Sequence, residues 1–164
     1  MTGCFPFVRI DNRLLHGQVV QFWIPYLKVS SLIIADDLAA SNPAMVSVYR
    51  MAIPRHINLS VLSVTELGDA IEQEDCSATL VVVSDIFDLA RAEMSGFDFD
   101  TVTIGNVHAA KGRNGITDAV HLTPEEVEAL LRWHKAGKKI EIQTFPGHAL
   151  IMNWSQEGVR WLKF

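Results

Sequence analysis

Ser31-Leu32-Ile33-Ile34-Ala35-Asp36-Asp37 runs apolar and then turns acidic, and Ser41-Asn42-Pro43 soon opens a stretch of helical character that reaches Ala52. An unbroken apolar run, where alternation would mark a half-exposed strand, is how a strand covered on both faces reads. The same unit recurs along the chain. Phe5–Ile10, Ile57–Val64, Thr79–Val83, Thr101–Gly105, Ala119–Leu122 and Ile140–Phe145 read as further strands. Gly17–Lys28, Thr65–Gln73, Ile86–Met94 and Pro124–Ala136 read as helices between them. The last carries the fullest signals: Thr123 as N-cap, Pro124 in the first turn, Glu126 three residues past the cap and Gly137 beyond the end. Strands alternating with helices imply right-handed crossovers, so the expected fold is α/β, a single doubly wound, mainly parallel sheet with helices on both faces.

The chain has 164 residues, 49% of them hydrophobic and 20% charged, which suits one core, and a single domain over 1–164 is expected. Lys+Arg 14 against Asp+Glu 19 gives a net charge of -5, which argues against nucleic acid and against a polybasic membrane surface. No apolar run approaches the roughly 20 residues of a spanning helix. The start MTGCFPFVRIDNR lacks the pattern of a signal peptide, so membrane insertion is not expected and the cytoplasm is. Cys4 and Cys76 make no disulfide framework and no metal-ligand spacing. The stretch after Pro146, with Trp154 and Trp161, is a weaker helix candidate; Trp23 and Trp133 are expected in the core.

In such sheets, ligands bind beyond the carboxyl ends of the strands, so the strand-to-helix loops hold the chemistry. The richest is Asp11-Asn12-Arg13-Leu14-Leu15-His16-Gly17-Gln18. Here an imidazole stands beside the free N–H groups of a helix start, which favour phosphate. Arg13 offers a permanently charged fork to the same anion, Asp11 or Asn12 can orient the ring or cap the loop, and Gly17 lets the backbone approach closely. A surface histidine beside a cap is the plainer alternative. Asp36-Asp37 and Asp85 can bind Mg²⁺ or cap the next helix, and capping is the simpler reading. The loop Asn106–Gly115, with Lys111 and Arg113, suits a phosphate rim, a docking surface for an acidic partner, or plain solvation. Gly-x-x-x-x-Gly-Lys-Ser/Thr, Gly-x-Gly-x-x-Gly after the first strand, Gly-x-Ser-x-Gly and zinc-type histidine spacings are all absent. No metal and no cofactor are expected.

The run Arg9-Ile10-Asp11-Asn12-Arg13-Leu14-Leu15-His16-Gly17-Gln18-Val19 resembles the signature of the IIB component of the mannose/fructose/sorbose family of the bacterial phosphoenolpyruvate-dependent sugar phosphotransferase system. The likeness extends over about residues 5 to 145, through Leu32–Ala39, Met51-Ala52-Ile53-Pro54, Val61–Val64 and Ala119–Leu122. At Gly105-Asn106-Val107 the chain departs from the family's Gly-Gly-Met. The resemblance implies a phosphocarrier in which His16 takes phosphate from a IIA phosphohistidine, on the ring nitrogen nearer the main chain. It then passes the phosphate to a sugar held by the membrane IIC/IID permease, a protein-N(pi)-phosphohistidine–sugar phosphotransferase activity assisted by Arg13. Asp11, Asn12, Gly17, Gln18, Asp37 and Asn106 are the expected phosphate-binding or loop-supporting set. A homo-oligomer is compatible with the reading. A receiver-like or regulatory phosphoprotein, drawing on Asp36-Asp37, Asp85 and Lys111, is the alternative, and a binding module using the tryptophan-containing tail is a further one.

Overall fold

A computed structural model describes residues 4–147 and the backbone of 152–153. The first strand, β1 (Phe7–Asp11), leads into a π-helical turn (Val19–Trp23) that continues as α1 (Ile24–Leu27). Next come β2 (Ser31–Ala35), α2 (Asp37–Ala40), α3 (Pro43–Ala52), β3 (Asn58–Leu62), a 3-10 turn (Val64–Glu66) and α4 (Leu67–Ile71). A second 3-10 turn (Cys76–Ala78) precedes β4 (Thr79–Val83) and α5 (Ile86–Met94). The chain goes on through β5 (Thr101–Asn106), β6 (Asn114–Gly115), β7 (His121–Leu122), α6 (Pro124–Lys135), β8 (Lys139–Ile142) and β9 (Met152–Asn153).

The main sheet has the order β3-β2-β4-β1-β5-β8-β9, parallel except for β9, which runs antiparallel to β8. Both faces are covered, as the unbroken apolar runs require. On one face Val8, Ile10, Ile33, Val81, Val83, Val102 and Ile104 pack against Leu67, Leu89, Leu130 and Trp133 of α4, α5 and α6. On the other, Leu32, Ile34, Leu80 and Val82 pack against Val19, Trp23, Ile24 and Tyr49 of the first helix and α3. The doubly wound fold read from the sequence is the fold observed.

The differences are local. Ala119–Leu122 does not join the main sheet: His121–Leu122 pairs with Asn114–Gly115 in a two-residue hairpin, and Val120 makes an isolated bridge to Val107. A segment so short, entered through the loop at 107–113, reaches Val107 only beyond the end of β5. The tail helix candidate with Trp154 and Trp161 lies outside the described residues, apart from the strand pairing of Met152–Asn153. The cysteine reading is corrected, because Cys4 and Cys76 are disulfide-bonded. Parallel pairing of Phe7 with Leu80 sets the segments before β1 and β4 side by side, a neighbourhood that spacing in sequence does not reveal. Among the described residues, no helix is long and apolar enough to cross a membrane.

Candidate functional site

After β1 the chain crosses to the first helix on one face; after β5 it leaves for α6 on the other. The two loops part at the carboxyl edge of these neighbouring strands, which is where a doubly wound sheet opens a crevice. Residues Asp11–Gln18 sit there. The β1–β5 register slips between Ile10 and Asp11, pairing Ile10 with Ile104 but Asp11 with Asn106. Such a bulge bends the strand end and re-aims its side chains. Leu14 then takes a left-handed φ of 52°, rare for a residue with a β-carbon, in a turn closed by its N–H to Asp11 O at 2.9 Å. Its buried side chain anchors this turn in the core.

Asp11, fully buried, organises the site. Its Oδ1 accepts from the Arg13 N–H at 3.1 Å and from Arg13 Nε at 3.0 Å. Its Oδ2 accepts from Arg9 Nη2 at 3.1 Å and Arg13 Nη2 at 3.0 Å, and lies 3.0 Å from His16 Nε2. Burial alone would raise the Asp11 carboxyl, yet hydrogen bonds from His16 and Arg13 and the charge of Arg9 hold it well below the usual carboxylate range. It is therefore ionised, and an ionised carboxylate only accepts hydrogen bonds. The proton of a neutral His16 ring must then sit on Nε2, leaving the lone pair on Nδ1. Independently, the Gln18 backbone N–H points at Nδ1 from 3.3 Å. The histidine side chain is 16% exposed, so the ring is held on one side and open on another.

Arg13 also donates from Nη2 to Gln18 Oε1 at 3.0 Å, while its side chain stays 32% exposed. Asn12 ties three loops together. Its Nδ2 donates to Ser84 O at 2.6 Å, its Oδ1 accepts from the His108 N–H at 2.6 Å, and its N–H donates to Asn106 O at 3.0 Å. The Asn106 side chain lies 3.2 Å from His108 Nδ1. The first backbone N–H to find a helical carbonyl is that of Val20, bonded to His16 O at 3.1 Å.

Asp11 and Gln18 thus meet His16 directly, Arg13 joins both of them, and Asn12 with Asn106 ties the same loop to its neighbours. Asp37 does not join them: it accepts from the Val64 N–H at 2.9 Å and pairs with Arg91 at 2.7 Å. A β-carbon at Gly17 would meet nothing within 4 Å, and its φ is not positive, so close packing does not require glycine there. Asp36 and Asp85 act as N-caps, accepting from the Ala39 and Asp88 N–H groups. Arg113, in the loop read as a phosphate rim or docking surface, forms a bidentate pair with Glu126 and donates to His108 O.

Sequence reasoning missed Arg9. It is 1% exposed, lies over the Trp23 ring at 4.5 Å, and donates to Gln143 O at 2.9 Å and Thr144 O at 3.2 Å as well as to Asp11. Burial pushes its pKa down to about 10, with Asp11 opposing, so it stays charged at neutral pH. The signal was present: a cation inside an apolar strand, two residues before an aspartate, lies on the same strand face as that aspartate.

The chain is similar to known proteins over most of its length. The model of the PTS system sorbose subfamily IIB component matches residues 5–156. The fructose-specific EIIB component of Bacillus subtilis (strain 168) is 27% identical over 146 residues, covering 86% of this chain and 88% of that protein. The crystal structure of manxB from Thermoanaerobacter tengcongensis superposes with a TM-score of 0.82 at 27% identity, over 94% of this chain and 95% of that one. That of the IIBSor domain of the Klebsiella pneumoniae sorbose permease superposes with a TM-score of 0.84 at 22% identity, over 98% of each chain, and so shares the fold. With the match spanning nearly the whole described chain, site loop included, the protein belongs to the sorbose subfamily of phosphotransferase-system IIB components, a family of sugar phosphotransferases.

Proposed function

We propose that this chain is a cytoplasmic phosphocarrier, a single domain that takes a phosphoryl group on His16 Nδ1 from a phosphohistidine of a IIA component. It then hands the group to a sugar held by a IIC/IID membrane permease. The observation that carries the reading is the ionised Asp11 at His16 Nε2, which fixes the tautomer with the lone pair on the nitrogen nearer the main chain. In the first step the N–P bond of the donor histidine breaks as the Nδ1–P bond forms. The ring gains positive charge, and Asp11 faces it across Nε2–H. In the second, the Nδ1–P bond breaks as a sugar hydroxyl oxygen bonds to phosphorus, and the hydroxyl proton leaves for solvent or a base.

Phosphoryl transfer asks a protein for positioning and charge stabilisation. Arg13, partly exposed beside the ring, supplies the charge, and the helix start that follows His16 favours the anion. No nucleotide enters this balance. The aspartyl alternative draws no support from its acids, since Asp36 and Asp85 cap helices and Asp37 pairs with Arg91. The test is phosphoryl transfer from a phosphoenolpyruvate-charged donor relay to wild type and to His16→Ala. We expect alkali-stable, acid-labile label on wild type alone. Label that persists in His16→Ala, or that alkali removes, overturns the assignment.

A further inference from the structure

Arg9 reaches the site by lying flat across the neighbouring strand at Gly105. A β-carbon built there would stand 1.8 Å from Arg9 Nη2, 2.1 Å from Cζ and 2.6 Å from Nη1. Atoms cannot share such space, and the obstacle would press on the head of a buried side chain, whose rearrangement is confined. Gly105 is also the residue that the β1–β5 register skips, between Ile104 paired with Ile10 and Asn106 paired with Asp11. The bulge and the missing side chain together open the slot for the guanidinium. From that slot Arg9 holds Asp11 Oδ2, and Asp11 Oδ2 holds His16 Nε2.

We propose that Gly105 is a positioning residue for the histidine: its bare backbone admits Arg9, which sets the carboxylate that fixes the imidazole tautomer. This inference deepens the phosphocarrier reading and rests on it for the meaning of the rate. Arg9→Ala, Gly105→Ala and the double variant are compared by transfer rate and by the ¹⁵N shifts of the His16 ring in unphosphorylated protein. Gly105→Ala is expected to lower the rate on the order of 10²-fold, as a displacement of about 1 Å does in a positioned site. It is also expected to move the ring from one tautomer to a mixture. Because both changes act on one contact, the double variant should be no slower than Arg9→Ala by more than about 2-fold.

Losses that multiply, or a Gly105→Ala ring that keeps the wild-type shifts, overturn the proposal. Should Gly105→Ala fail to fold, adding Arg9→Ala removes the side chain that the new methyl meets and is expected to restore folding. A double variant as unfolded as the single one overturns the proposal equally. The ring shifts need no phosphate, so a wild type that accepts no label sinks the carrier reading and leaves this test standing.

Discussion

At the scale of single residues, the site is a buried carboxylate shared among two arginines and a histidine. Replacing Asp11 with asparagine keeps the shape and removes the charge, and an amide can present either a donor or an acceptor to Nε2. We expect Asp11→Asn to slow phosphoryl transfer on the order of 10²-fold or more, as loss of a histidine-orienting carboxylate does, measured with the same donor relay. Stability should follow with a definite sign. The Asp11 carboxyl lies below its ordinary value in the folded chain, so the unfolded chain binds its proton first. Its contribution is therefore complete above about pH 4, the unperturbed carboxyl value, and declines as the pH falls below it. Urea midpoints from pH 7 down to pH 3 should show wild type losing more than Asp11→Asn. Much of this site was legible: the histidine, Arg13 and the loop stand in one run. Arg9 was signalled only by its place two residues before Asp11; its carbonyl partners at Gln143 and Thr144 lie far along the chain, and only the folded sheet places them beside it.

At the scale of elements, local signals located helices and strands well where they carried caps or unbroken apolar runs. Pro43–Ala52 and Ile86–Met94 match as read, each with its side-chain cap in place. Ala119–Leu122 does contain a strand, but local apolar character does not tell a short hairpin from a strand of the main sheet. Glu126 shows the same limit in another form. Its capping box with Thr123 was visible in sequence, but Arg113 closing on the same carboxylate was not. Glu126 is 1% exposed and its Arg113 partner 16%, so the pair is largely desolvated. Glu126→Gln preserves the cap and is expected to cost about 3 kcal/mol, because the largely buried Arg113 loses its counter-charge and keeps only neutral acceptors such as His108 O. Thr123→Ala, which loses only the cap, should cost about 1 kcal/mol. Denaturant midpoints of the two variants settle the order. A larger loss in Thr123→Ala would show that the cap, and not the ion pair, holds the loop to α6.

At the scale of the whole molecule, the fold class followed from alternation alone, while the contacts that unite distant segments emerged only in three dimensions. The bridge from Cys4 to Cys76 spans a sequence separation of 72 and joins the segments that precede β1 and β4. It lies at the edge of the sheet opposite His16. Cross-links of this kind typically add about 2–4 kcal/mol. Dithiothreitol is therefore expected to lower the unfolding midpoint while leaving the rate of phosphoryl transfer within about 2-fold, because the cross-link and the histidine share no partner. A rate that fell with the midpoint would place the two ends of β1 in communication.

The carbonyls that receive Arg9 bear on how the protein is made. A ribosome delivers Arg9 and His16 early and residues 143–144 more than a hundred peptide bonds later. Until the residues that follow β8 have emerged, the cation in β1 lacks the carbonyls of Gln143 and Thr144, and Asp11 has only the partners of its own strand and loop. A growing chain therefore carries the signature histidine before the buried arginine beside it has its full set of partners. The buried cation beside the histidine is thus seated only after β8, one of the last strands to be made, has paired with β5.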